Sequence, residues 1–124
     1  MTPTLTDLYS AIEATWPPAK SWDAGGWTFR DGAGGGKRVS AVTAQADDAP
    51  SRVSHAISEM RARDEQPLFM VRAGEEALDG ALADAGLDRI DPVVLYTAPV
   101  EVLTNDPIPP VTTFNVWEPL AIMR

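Results

Sequence analysis

Arg30 and Arg38 stand on either side of a glycine-rich stretch, Gly32-Ala33-Gly34-Gly35-Gly36. Cations beside glycines invite a phosphate-loop reading, so the spacing decides. A phosphate loop needs Gly, four residues, then Gly-Lys-Ser/Thr. Here Arg38 follows Gly36-Lys37, and Asp31 stands five residues before Gly36. The dinucleotide pattern G-x-G-x-x-G starts at Gly32-Ala33-Gly34 but meets Lys37 where its third glycine belongs. Both patterns fail, and the run reads as the turn of a β-hairpin. A symmetric turn sets Arg30 opposite Arg38, Phe29 opposite Val39, Thr28 opposite Ser40 and Trp27 opposite Ala41. Alternation then sends Trp27, Phe29, Val39 and Ala41 to the core and gathers Thr28, Arg30, Arg38 and Ser40 on the other face. Two arginines directly opposite repel unless an acid of the chain, an anionic ligand or water relieves them.

Other chemistry-bearing residues carry less. His55 falls on a helix but off its apolar stripe, and Ser51, Ser54 and Ser58 form no G-x-S-x-G nucleophile elbow. A solvated surface histidine is expected. Glu75, Glu76 and Asp79 fall in the first turn of a helix, where they complement its dipole. Asp84, Asp88 and Asp91 lack the spacing and central glycine of a calcium loop. Of four tryptophans, Trp16 and Trp27 read as core, while Trp22 and Trp117 lie in looser surroundings. No catalytic residue is assigned.

Composition narrows the class further. With 124 residues, 44% of them apolar, the chain has material for one compact domain and too little for two. Its 18 acids against 10 bases leave a net charge of -8, which makes nucleic acid and anionic membrane poor partners. The absence of cysteine removes disulfides and thiolate metal sites, and one histidine makes no multi-His centre, so no metal is expected. No apolar run approaches the roughly 20 residues of a membrane span, and the first residues lack the pattern of a signal peptide. A cytoplasmic location is expected.

The elements that must position these residues follow from periodicity. Leu5, Leu8, Ile12 and Trp16 share a helical face, with Thr4 and Asp7 at its start and Pro17-Pro18 at its end. Strands follow at Gly26–Arg30 and Lys37–Thr43. A second helix carries Val53, Ala56, Ile57 and Met60 on its buried stripe. Pro67–Arg72 reads as a short buried strand. A third helix carries Leu78, Ala81, Leu82 and Ala85 and is capped by Gly86. Pro92-Val93-Val94-Leu95-Tyr96 is a continuous apolar run, the pattern of a strand covered on both faces. The expected order is α-β-β-α-β-α-β, an α/β fold whose mixed sheet combines an antiparallel hairpin with βαβ crossovers. Residues 1–105 are expected to form the domain. Residues 106–124, with Pro107, Pro109 and Pro110, read as a linker, a further strand at Thr113–Trp117, and a helix start at Pro119 that the chain is expected to continue as a second half.

Gly26-Trp27-Thr28-Phe29-Arg30, the glycine turn and Lys37-Arg38-Val39-Ser40-Ala41-Val42 resemble the N-terminal half of two-part GNAT-type N-acetyltransferases. Those proteins carry a G-W-x-x-R strand, a glycine-rich hairpin and R-x-N-S-V. Pro67–Arg72, Leu82–Leu87 and Asp91–Tyr96 are similar to the segments that come next, so the resemblance runs over most of residues 5–100. Ser40-Ala41 stands where that pattern has Asn-Ser. The resemblance implies a GNAT-like sheet and an acetyl-CoA-dependent enzyme that directs an amine onto a thioester. The superfamily's R/Q-x-x-G-x-G/A loop, which holds the cofactor pyrophosphate on a helix N-terminus, occurs nowhere between Met1 and Arg124. Acetyl-CoA is therefore expected for the full-length protein and not on this chain alone. The implied role is structural or that of a substrate cleft, with Trp27, Arg30, Arg38 and Ser40 as the residues facing substrate. The expected partner is the missing C-terminal catalytic half or a second copy of the chain. The alternative is a stand-alone, non-catalytic α/β module that self-associates through Val116, Trp117, Leu120, Ile122 and Met123.

Overall fold

In the computed structural model, residues 2–105 and 107 are described. The chain divides into two compact units, Met1–Ile90 and Asp91–Arg124. The protein is mixed α/β, with a three-stranded antiparallel sheet and several helices.

Helix α1 (Leu5–Thr15) begins with a reciprocal cap. The Asp7 N–H donates to Thr4 Oγ1 at 3.1 Å, and the Thr4 N–H donates to Asp7 Oδ2 at 2.9 Å. The Thr4 backbone N–H, and to a lesser degree the Thr4 side chain, hold the Asp7 carboxyl below the ordinary aspartate range. The chain then enters strand β1 (Lys20–Ala24), reverses at Gly25-Gly26 and returns as β2 (Trp27–Asp31). Ala24 lies opposite Trp27, so the turn has two residues, and their φ values of +60° and +86° are those that glycine adopts without strain. This hairpin departs from the expected one at Gly32–Gly36.

The expected second strand is corrected too. Lys37–Val39 is a 3₁₀ turn, and strand β3 is only Thr43–Ala44. Trp27 pairs with Ala44 rather than Ala41, and Thr28 with Thr43 rather than Ser40. The shift is three positions, an odd number, so it exchanges the faces. Val42 and Ala44 point to the core, while Ala41 turns to the opposite side. Arg38, in the 3₁₀ turn, is therefore not the strand partner of Arg30.

The connection tightens because the glycines allow it. Asp31 Oδ1 accepts the Ala33 N–H at 2.8 Å, and the Gly35 N–H donates to Gly32 O at 2.8 Å. A Cβ on Gly32 would come within 2.5 Å of Ser40 Oγ and 2.8 Å of Val39 Cγ2; one on Gly35 would meet Val39 Cγ2 at 2.7 Å. Val39 itself is buried. The glycines thus close the loop around a side chain.

Helices α2 (Val53–Ala62) and α3 (Glu76–Asp84) pack on the face carrying Trp27 and Phe29, both about fully buried, with Val42, Met60, Leu78 and Leu82 among the other core residues. Burying each such side chain is worth about 1.5–3 kcal/mol. Phe69 joins the sheet through one parallel bridge to Val42, completed by the Val42 N–H to Leu68 O and the Met70 N–H to Val42 O. The expected Pro67–Arg72 strand is reduced to that bridge. Gly86 follows α3 with φ +86°, as expected of a C-terminal glycine.

Two further expectations fail. Trp16 is 54% exposed rather than core. Pro92–Tyr96 forms no strand, and Val93, Val94 and Tyr96 are exposed. An apolar run signals burial without saying which element it forms, and this one has no ladder partner among the described residues. In the second unit α4 spans Val100–Thr104. The expected strand at Thr113–Trp117 and the helix start at Pro119 lie outside the described residues.

The glycine loop yields a paired test. Gly32→Ala and Gly35→Ala are each expected to destabilise the fold by about 1–3 kcal/mol through overpacking against Val39. Gly36, with φ -70° and nothing near its missing Cβ, is expected to accept alanine neutrally or with a gain of about 0.4–1 kcal/mol. Urea unfolding of the three variants measures this, and an equal effect at all three would contradict the packing account.

Candidate functional site

Behind the core face of the sheet lies a second, polar face. Along β2, Trp27 and Phe29 point to α2 and α3, so Thr28 and Arg30 point the other way, and both are nonetheless buried. Helix α1 stands over this face without a single fully buried residue. Between helix and sheet is a cleft of about 690 Å³, within the size range of small-molecule sites.

Arg30 dominates its floor. Its Nη1 donates to Ala41 O at 3.0 Å and to Thr43 Oγ1 at 2.9 Å, and its Nε donates to Glu13 Oε1 at 3.1 Å. The side chain is only 10% exposed, whereas that of Glu13 is 46% exposed. Nη2 has no hydrogen-bond partner among the described residues. A second polar chain runs beside it. The Thr28 hydroxyl donates to Asp23 Oδ1 at 2.6 Å, and Gln45 Nε2 donates to Thr28 Oγ1.

The far wall is Arg72 with Glu75. Arg72 Nε donates to Glu75 Oε1 at 3.0 Å, Nη2 donates to Oε2 at 3.3 Å, and Nη2 also reaches Ala44 O. The Arg72 N–H donates to Glu75 Oε1 at 2.8 Å, which closes the turn before α3. The Ala73 N–H donates to the Tyr9 hydroxyl at 3.2 Å. Tyr9 and Glu13, one turn apart on α1, therefore hold the helix across the cleft by polar contacts. A third hold is Arg38, whose guanidinium lies 5.2 Å from the centre of the Trp16 ring.

The four residues expected to face substrate divide. Arg30 and Arg38 both line the cleft. Trp27 lies on the core face, fully buried, with Phe69 edge-on at 5.4 Å. Ser40 lies in the glycine loop, where its hydroxyl donates to Gly36 O at 3.2 Å. Sequence reasoning missed Glu13, Asp23, Gln45, Arg72 and Glu75. Asp23 was within reach: Gly25-Gly26 between polar-apolar alternations is a hairpin signal, and it makes Asp23 the neighbour of Thr28. Glu13 and Arg72 come from elements distant in sequence, and no local pattern joins them to Arg30.

His55 is exposed, as expected. Among the described residues no cluster of His, Cys, Asp and Glu could hold a metal ion, and no helix is long and apolar enough to cross a membrane. No family model, curated protein or solved structure matches the chain.

Removing the Arg30 guanidinium leaves Ala41 O and Thr43 Oγ1 without their donor. Arg30→Met is expected to lower stability by about 2–3 kcal/mol. Glu13→Gln, at a half-exposed position, is expected to lower it by less than about 1 kcal/mol. Denaturant unfolding checks both, and a larger loss at Glu13 than at Arg30 would refute this ranking.

Acid reports on α1 separately. The Asp7 carboxyl is held below its ordinary range, so its contribution is full above the unfolded aspartate value and is lost as pH falls through the folded one. Amide exchange in the first turn of α1 is expected to accelerate there, relative to α2.

Proposed function

We propose that the chain is the N-terminal, GNAT-like domain of an acetyl-CoA-dependent N-acetyltransferase, serving as one wall of its substrate cleft and as a structural support. The observation that carries the substrate role is the cleft under α1, with Arg30 and Arg38 in its lining. The resemblance of Gly26–Arg30 and Lys37–Val42 to the N-terminal half of two-part acetyltransferases supports the family reading. In this reading acetyl-CoA is gripped by residues outside 1–124, and the chain's own groups bind and orient the acceptor. Partner contacts are made with a catalytic half or with a second copy of the chain.

A second reading has one observation in its favour. Val93, Val94, Tyr96, Val100 and Leu103 are exposed, and surface of that kind is covered in many proteins by association. In that reading the chain is a non-catalytic module that self-associates. The residues first expected to do so, Val116 to Met123, lie outside the described residues.

The natural gene product separates the readings. Its mass is expected to be roughly double that of the 124-residue chain, by the usual size of a second domain. It is expected to bind acetyl-CoA in a calorimeter and to release free CoA thiol with an amine acceptor. The 124-residue chain, shown to be folded, is expected to give no saturable heat with acetyl-CoA. A natural product of about 13 kDa that neither binds nor turns over acetyl-CoA would overturn the acetyltransferase reading. Saturable binding by the 124-residue chain would overturn its accessory role.

A further inference from the structure

The charges around the cleft under α1 nearly cancel in pairs, and what is left over has a direction. Arg72 is held by both oxygens of Glu75, and Arg30 Nε by Glu13. Two charged groups of the lining then remain without an opposite charge among the described residues. One is Arg38, whose guanidinium meets the Trp16 ring instead of a carboxylate. The other is Asp23, whose Oδ1 accepts only the Thr28 hydroxyl. Arg30 adds Nη2, a donor pair on a side chain 10% exposed and without a partner among the described residues.

Register sets the spacing of these groups. Asp23 is directly opposite Thr28, and Arg30 is two residues along β2 on the same face. That diagonal sets the two residues roughly 7–8 Å apart, and the Arg30 guanidinium leans toward Ala41 and Thr43, on the side of β2 away from Asp23. A negative group and a donor edge thus stand on either side of β2 in the floor of one cleft. We propose that this cleft binds a small zwitterion, an amine-bearing carboxylic acid such as a free amino acid. Its carboxylate lies on Arg30 Nη2 and Arg38, and its ammonium lies on Asp23. The planar donor edge of arginine fits a carboxylate, and the same wall argues against a polyanion. Glu13, Asp23 and Glu75 in the lining oppose the approach of a phosphate-bearing ligand. A neutral zwitterion meets each sign where the protein leaves it open.

The inference rests on the cleft being a substrate cleft and on no property of acetyl-CoA. Its test is a titration of the full 124-residue chain, followed by amide chemical shifts and by heat, with 4-aminobutyrate, butyrate and butylamine at equal ionic strength. The zwitterion is expected to saturate, to shift amides in Asp23–Arg30 and Ala41–Gln45, and to bind about tenfold or more tightly than either singly charged analogue, as paired charges at both ends require. Arg30 also supports the fold, so the variants are Asp23→Asn and Arg38→Gln at exposed positions. Each is expected to weaken binding about tenfold, with the melting temperature unchanged for Asp23→Asn and little changed for Arg38→Gln, whose contact with Trp16 is exposed. Absence of saturation in a folded chain overturns the proposal, and so does equal binding of all three probes. A longer gene product that transfers acetyl groups while this titration stays flat would overturn the zwitterion site alone.

Discussion

The guanidinium of Arg30 ties the polar side of this protein together. It reaches the Ala41 carbonyl and the Thr43 hydroxyl on the neighbouring segment, and Glu13 on α1. Strand β3 has only two residues, too few for its ladder alone to fix the pairing. Side-chain bonds from β2 to the stretch before and within β3 add the missing constraint. The other constraint is apolar: with Trp27 and Phe29 on one face and Val42 and Ala44 beside them, any odd slip would bring core residues to the cleft. The sheet is thus specified from both sides, by a salt-bridged arginine on one and by aromatic burial on the other.

The two sides differ in kind. Toward α2 and α3 the contacts are apolar and closed, the part of the fold expected to open only with global unfolding. Toward α1 they include the Glu13–Arg30 pair, the Tyr9 hydroxyl and the Arg38–Trp16 contact, with Leu8 and Ile12 half-buried beside them. Each is worth little alone when partly exposed. The helix contributes no fully buried residue to the apolar core.

The sequence was legible where one side chain decided one element. The stripe Val53, Ala56, Ile57 and Met60 announced α2, the Thr4–Asp7 pair announced the start of α1, and Trp27 and Phe29 announced the core face of β2. It misled where several weak signals competed. Lys37–Thr43 is β-branched enough to read as a strand, but Val39 is drawn under the glycine loop, and the backbone takes a 3₁₀ turn to deliver it. The glycines read as a hairpin turn, whereas Gly32 and Gly35 permit close packing. The polar face of β2 was legible as a set, Thr28 with Arg30, because alternation is local. Its partners were not, because Glu13 lies 17 residues before Arg30 and Arg72 bonds across 28 residues to Ala44.

Net charge bears on the cleft through contrast. The chain carries an excess of acids, giving -8 overall, yet the lining of the cleft holds Arg30, Arg38 and Arg72 against Glu13, Asp23 and Glu75. The excess acids therefore lie elsewhere. An acidic protein surrounds itself with a field that discourages anions from approaching, and the field decays within a Debye length of about 8–10 Å. A cleft of zero local charge neither reinforces nor reverses that field. A polyanion would cross it at a loss and find Glu13 and Glu75 inside; a simple cation would arrive readily and find every arginine unhelpful. A molecule without net charge crosses freely, and its two ends are resolved only at contact, where the Arg30 guanidinium and Asp23 stand on either side of β2. Discrimination in such a site comes from short-range geometry, and that geometry is set by the same register that places Trp27 in the core.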